Sequence, residues 1–473
     1  MALASIPTRA YPKRHNSLDP KRHNSPAQSG RAKYTLLLLV LLLAFALTVL
    51  MFYPGYITAD AGYVYAEAKA WRFGDWQSPV MGVIWRIVDP LAPGSLSMFL
   101  LTVTLYWLGF GGLALIALRS SICLALLTLS LAFTPPAFIL LALIWRDILF
   151  GVIWLAAAVL AFAAAERHRW IRVSSQVLAI SLIALGVLLR PNAAIAAPLL
   201  ATYAAWPASF GLRRTALAYV PAALLFVALV PAVYYGLLAA ERQHPLHSIL
   251  VFDLGGITRF SGENQFPVQW TAEQTELLND KCYNPERWDF YWHLPPCPFV
   301  MQRLERADDP IFGTARLARA WRDAVATHPF SYLEHRATFM WQFLARSNLV
   351  LPVWDWAKPS STYGDSRYFR PVLQLHEVLQ PTILFRPGLW VLLAIASGAF
   401  SWPRRETAAG AFAVSVTGCS VVYVLSFFFL GVAADFRYAY WCVLGTLTAA
   451  VAAVLCRSAV ILRSQRSCAA LEE

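Results

Sequence analysis

Two aspartates stand among aromatic residues in ITADAGYVYAEAKAWRFGDWQSPVMG, residues 57–82, directly after the apolar run YTLLLLVLLLAFALTVLMF. A carboxylate at a membrane face can take the proton from an attacking hydroxyl. Guanidinium groups nearby can hold a departing phosphate as its charge grows. Asp60 is the first candidate base, and Asp147 in IWRDILFG is the second. Arg146 in that motif, Arg190 and Asn192 in LLRPNA, and Arg437 and Tyr438 in ADFRYAYW are candidates for binding a phosphate group or its substituent, with Arg437 the first choice for the phosphate. Tyr63 and Asp75 join them from the opening stretch. Each residue also has a plainer reading. Asp is a favoured helix N-cap, Arg146 and Asp147 form a neutralising pair, and arginine at a span end anchors a helix to headgroups. Asp253, in VFDLGGITRF, ranks below Asp60.

The elements that position these residues follow from composition. The 473 residues are 58% hydrophobic and 14% charged, with a mean hydropathy of +0.52. That composition is not a soluble one and reads as an all-α polytopic membrane protein. The net charge, 39 − 27 = +12, does not imply nucleic acid, because the basic residues flank apolar runs. About ten spans are expected from apolar length. They lie near 35–53, 98–118, 121–143, 148–165, 174–189, 193–209, 216–238, 387–402, 408–430 and 438–456, with 371–386 a candidate re-entrant segment.

Residues 1–34, with PKRHNS at 12–17 and again at 20–25, read as a disordered basic tail. The membrane domain is expected over 35–238, with its first outer loop at 54–97. A long outer segment covers 239–386, further membrane helices 387–456, and a second tail 457–473. Arg119, Arg167, Arg169, Arg172, Arg213, Arg214, Arg404, Arg405, Arg457, Arg463 and Arg466 fall on one side. The positive-inside rule makes that side cytoplasmic, with both termini on it. The expected spans hold no Asp or Glu, whereas an ion-coupled transporter usually buries one near the midplane.

The long segment carries Trp270, Trp288, Trp292, Trp321, Trp341, Trp354 and Trp356, which suit the headgroup level. Cys282 and Cys297 flank YNPERWDFYWHLPP there. A disulfide is expected in an oxidising compartment, with free thiols or a metal pair with His293 as alternatives. His244 and His247 have metal spacing interrupted by Pro245. Cys123, Cys419, Cys442 and Cys456 read as small apolar residues in spans, and Cys468 lies in the tail. No phosphate-binding GxxxxGK[ST] loop, dinucleotide glycine fingerprint or Gly-x-Ser-x-Gly elbow occurs.

Two short helices are expected in the first loop. One runs from Asp60 to Arg72 and is ended by Phe73-Gly74. The other is capped by Ser78, opens on Pro79 and ends before Pro90. The order Asp60, Tyr63, Ala66-Glu67, Gly74-Asp75-Trp76, Pro79 resembles the first outer loop of GT-C membrane glycosyltransferases. It is most similar to bacterial aminoarabinose transferases and protein O-mannosyltransferase relatives. Those proteins carry an acidic pair where this chain has Ala59-Asp60-Ala61, and many have His where Ser78 stands.

The resemblance implies a GT-C fold in the cytoplasmic (inner) membrane with its site facing the periplasm or cell exterior. It implies inverting transfer of a sugar from a polyprenyl-phosphate carrier to a glycan, lipid or protein acceptor, with Asp60 as base. No organic cofactor is implied, and a divalent metal is left open at Asp147. A flippase or transporter for a lipid-linked saccharide, and a non-catalytic envelope protein of this fold, are the rival readings.

Overall fold

The computed structural model describes residues 26–292, 294–346, 351, 354–355, 358–362 and 366–469. Among them, seven helices are long and apolar enough to cross a membrane: Arg31–Phe52, Ser95–Leu118, Arg146–Ala164, Arg169–Leu189, Leu212–Leu237, Ala408–Leu430 and Phe436–Arg457. The pair Ile122–Leu131 and Pro135–Ala142, bent by 63°, makes an eighth if taken as one span. The bend falls at Thr134-Pro135-Pro136, where proline removes backbone donors and disfavours helix in the residue before it.

The expectation of ten spans is therefore corrected. Two of the apolar runs form short helices, Ala197–Ala205 of 9 residues and Pro387–Ser401 of 15 residues. At about 1.5 Å per residue these reach roughly 14 and 22 Å, short of a hydrocarbon core of about 30 Å. Apolar length over-counted because Pro191 and Pro198 divide the first run into a 3₁₀ turn, Pro191–Ile195, and a helix. The short helix still turns the chain back, since Gln176 Nε2 donates to the Ala205 carbonyl at 2.7 Å.

Other boundaries shift as well. The first helix begins at Pro26, inside the expected tail, and the last runs through Ala469. Residues 1–25 and 470–473 lie outside the described residues, as do His293 and Trp356. Residues 371–386 hold the helix Arg370–Leu379 of 10 residues and a 3₁₀ turn, Ile383–Phe385, too short to cross. A two-stranded antiparallel ribbon, Trp354–Asp355 with Lys358–Thr362, is a small departure from the all-helical expectation.

The helices Arg146–Ala164 and Phe436–Arg457 form the centre, each with 83% of its apolar window buried, whereas Leu212–Leu237 has 6% buried and lies at the periphery. Close approach at the centre uses glycine. A Cβ on Gly151 would strike the Tyr440 ring, and one on Gly445 would strike the Ser420 hydroxyl. Tyr440 in turn donates to the Ala137 carbonyl at 3.0 Å, which ties the broken pair to the last helix. The basic links gather at one end, where Phe210 N–H donates to the Arg405 carbonyl at 2.7 Å. Asp60, Arg190 and Arg437 lie at the other.

The long segment is mainly helical, including His247–Ser261, Ala315–Thr327 and Pro329–Trp341. Cys282 and Cys297 are disulfide-bonded, with Cα atoms 5.5 Å apart, so neither is a free thiol or a metal ligand. Cys419, Cys442 and Cys456 are buried and Cys123 is exposed.

Single cysteines at Ser261 and at Arg169 are expected to react with an impermeant thiol reagent from opposite faces of a sealed vesicle. Reaction of both from the same face would rule out this arrangement.

Candidate active site

The site is built where three helices begin. Tyr56, just past the first span, pairs with the chain beside Leu143: its N–H donates to the Ala142 carbonyl at 2.9 Å and its carbonyl accepts from Ile144 N–H at 3.1 Å. This registers the first loop against Trp145 and Arg146. Thr58 then caps the helix Ala59–Ala70 in extended backbone, its hydroxyl accepting from Ala61 N–H and from Trp145 Nε1 at 2.8 Å. Thr58, not Asp60, is the N-cap, so that plainer reading of Asp60 is set aside. The helix ends at Ala70, with Trp71 in the left-handed region at φ 53°, rather than at Phe73-Gly74. Gly74 N–H instead donates to Glu67 Oε1 at 2.8 Å. Burial pushes the Glu67 carboxyl above its ordinary value despite that bond. The second helix follows expectation: Ser78 caps Pro79–Val88, accepting from Met81 N–H.

A small cleft opens between these pieces, with Asp60, Gln77, Trp145, Arg146, Asp147 and Arg437 on its walls. Asp60 sits in the first turn of Ala59–Ala70, Arg146 and Asp147 in the first turn of Arg146–Ala164, and Arg437 in the 3₁₀ turn Phe436–Ala439 that leads into Tyr440–Ala469. Helix starts present unpaired N–H groups and the positive end of the backbone dipole, so the cleft favours an anion.

Charge in the cleft is unevenly paired. Arg437 Nη1 meets Asp60 Oδ2 at 3.0 Å, and its Nε meets Asp435 Oδ2 at 3.3 Å. Nη2 reaches the Tyr438 hydroxyl at 3.4 Å, and the guanidinium lies 4.6 Å from the Trp145 ring centre. Asp435 also accepts from Arg437 N–H at 3.0 Å, capping the turn. Asp147 pairs with Arg190 at 2.6 Å, both nearly buried, and Arg190 stacks 4.6 Å over the Tyr438 ring. The expected pair of Arg146 with Asp147 is thus replaced by Asp147 with Arg190. Arg146 donates to the Trp76 carbonyl at 3.3 Å, and among the described residues no carboxylate lies within ion-pair distance of it.

These cations act on the carboxylates. Burial raises the Asp60 carboxyl, but Arg437, Arg146 and Arg190 outweigh it and hold Asp60 below its ordinary value. Asp435 moves the other way, burial pushing it up against the pull of Arg437. Asp60 remains 44% exposed at its side chain and so can meet a molecule entering the cleft.

The structure brings together Asp60, Asp147, Arg146, Arg190, Arg437 and Tyr438. Asn192 and Arg190 approach the Tyr423 hydroxyl behind the cleft. Two other residues fall elsewhere. Tyr63 is 63% exposed and not on the cleft wall. Asp75 is buried, accepting from the Tyr235 hydroxyl at 2.7 Å and Gln243 N–H at 2.6 Å, so it clamps the first loop to residues 235–243. Asp253 is wholly buried against Arg336 and His335. His247 Nδ1 accepts from Gly313 N–H at 3.0 Å. Among the described residues no three His, Cys, Asp or Glu converge as a metal set, and Asp147 already has its cation. Trp145 and Gln77 are wall residues that sequence reasoning missed, although Trp145 lies within IWRDILFG and Gln77 within the stretch 57–82. No protein-family model, curated protein or solved structure matches the chain.

Replacing Arg190 by Met would leave Asp147 charged and buried beside apolar helices. The expected cost is about 3–5 kcal/mol of stability, read as a lowered unfolding midpoint in mild detergent. An unchanged midpoint would show that the pair is not a fastening of the site.

Proposed function

We propose that the protein is an inverting membrane glycosyltransferase. It moves a sugar from a polyprenyl-phosphate carrier to a hydroxyl of an envelope glycan, lipid or protein, at the non-cytoplasmic face of the inner membrane. The observation that supports this best is Arg146: a guanidinium with no carboxylate at ion-pair distance among the described residues, on the wall of a cleft that also holds the accessible carboxylate of Asp60. Arg146 replaces Arg437 as the first choice for the phosphate because Arg437 is already engaged by Asp60 and Asp435.

The acceptor oxygen attacks the anomeric carbon while Asp60 takes its proton. The bond from that carbon to the phosphate oxygen breaks, and the phosphate leaves with the electron pair, held by Arg146 and faced by Arg437. One displacement inverts the anomeric centre. A carrier lipid suits a cleft at the end of membrane helices, because its chain stays in the bilayer while its phosphate reaches the helix starts.

One observation favours a second reading. Asp60 is tied to Arg437 and no other carboxylate on the cleft wall is free, which also fits a protein that binds the carrier without transfer. A flippase is less well supported. Asp147 is the one acid within a described span, and it lies in the first turn, paired with Arg190.

Asp60→Asn is expected to lower transfer by about 10²–10⁴-fold while polyprenyl phosphate binds within a few-fold of normal. Near-normal turnover in that variant would remove Asp60 as base. Arg146→Gln should weaken polyprenyl phosphate binding by about 10–100-fold, the loss of a charge-assisted hydrogen bond or two; unchanged binding would exclude Arg146 from the phosphate site. Mass spectrometry of lipids and glycans from cells with and without the protein identifies the sugar and acceptor, and identical profiles would favour binding alone.

The acid limb of kcat/KM should lie below the ordinary aspartate value, because cations hold the Asp60 carboxyl down. Asp60 stays ionised until pH falls through that lowered value. Arg437→Gln removes the leading cation and should move the limb to higher pH. A limb that stays in place would assign it to another group.

A further inference from the structure

The five residues between Ala408–Leu430 and the turn Phe436–Ala439 have little regular structure of their own, yet they lead directly into Arg437. Their backbone groups are taken up by the long segment. The Gly431 carbonyl accepts from Arg336 Nη1 at 2.7 Å. The Val432 carbonyl accepts from Trp288 N–H at 2.9 Å, and Ala434 N–H donates to the Glu286 carbonyl at 2.6 Å. Ala433 thereby sits in an antiparallel bridge with Arg287. The Phe339 ring lies against Gly431 so closely that a Cβ there has no room.

Both supports are themselves fixed. Residues 286–288 lie inside the loop closed by Cys282 and Cys297, two buried cysteines. Arg336 is wholly buried, paired with Asp253 at 2.6 Å. Asp253 is also met by His335 at 3.3 Å and by Trp321 Nε1 at 2.7 Å. The same loop reaches the other cation of the cleft. The Trp288 and Trp292 rings pack on Trp76, at 5.8 and 5.0 Å between centres, and the Trp76 carbonyl holds Arg146.

We propose that the disulfide-closed loop 282–297 and Arg336 are positioning elements for Arg437 and Arg146, so that the long segment sets the spacing of the two guanidinium groups across the cleft. The role assigned to those cations rests on the function proposed above; the mechanical coupling does not. A bidentate cation site tolerates little displacement, and a misplacement of about 1 Å can cost as much as about a hundredfold.

The test compares Arg336→Lys, which keeps a charge for Asp253 but loses the fork that also reaches Gly431, with the Cys282→Ser/Cys297→Ser pair. Amide exchange by mass spectrometry is read over 431–438 and over 408–430 as control, and polyprenyl phosphate binding is measured on the same folded samples. Exchange over 431–438 should rise about tenfold or more in both variants while the helix stays protected. Polyprenyl phosphate affinity should fall about tenfold, and Arg336→Lys should add nothing to Arg437→Lys in a double-mutant cycle. Wild-type exchange over 431–438, or fully additive losses of affinity, would overturn the proposal. The cysteine pair decides the matter if Arg336→Lys does not fold. If the unaltered protein binds no polyprenyl phosphate, the functional reading fails, and the exchange comparison alone still decides the coupling.

Discussion

The arrangement depends on how three arginines and three aspartates share one end of a low-dielectric helix bundle. Unpaired ions there are costly, so each charge must find a partner or a use. Asp147 takes Arg190 in a pair that is almost dry. Arg437 is divided between Asp60 and Asp435. The remaining guanidinium, Arg146, meets a backbone carbonyl and, among the described residues, no acid at ion-pair distance. Equal numbers of opposite charges therefore do not give equal pairing. The surplus of positive potential is local and sits where three helices start, which adds to it.

Pairing of this kind needs elements that stop at set depths. The helix Arg146–Ala164 begins at Arg146 because the chain before it runs extended beside Tyr56. Arg190 reaches Asp147 because its helix ends at Leu189, where Pro191 opens a 3₁₀ turn instead of a continuation. The same proline explains both the buried ion pair and the short return helix. The broken apolar pairs are thus part of how the charged residues reach one level.

Much of this was legible in the sequence. Apolar length and composition point to a helical membrane protein, and the motifs IWRDILFG and ADFRYAYW place residues on the cleft wall, while LLRPNA supplies the Arg190 that pairs with Asp147. Ser78 with Pro79 marked a real helix start, and the cysteine pair marked a real disulfide. What failed did so for physical reasons. Apolar runs report burial in lipid, not helix continuity, and Pro135 and Pro191 open new short elements within them. The plainer reading of Asp60 as an N-cap fails although cap preference ranks Asp above Thr; the choice of Thr58 depends on Trp145, 87 residues away. Asp75 resembled a site residue by motif, but its partners Tyr235 and Gln243 are far along the chain. Adjacent charges such as Arg146 and Asp147 look paired in a sequence, whereas successive positions on a helix point in different directions.

The Asp60–Arg437 pair has a consequence for the order of events under the proposed chemistry. A carboxylate held below its ordinary value is ionised but is a weak base. The groups responsible, Arg437, Arg146 and Arg190, are the cations that an incoming phosphate would partly neutralise. Their hold on Asp60 would then weaken, while the burial that raises its carboxyl would remain or grow as the cleft fills. Base strength would thus rise when the donor is in place and fall when it leaves. Asp435 remains to share Arg437 if the guanidinium turns toward the phosphate, so the cation need not lose both partners at once. A single arginine placed between two carboxylates can in this way bind one reactant and release the base that acts on the other.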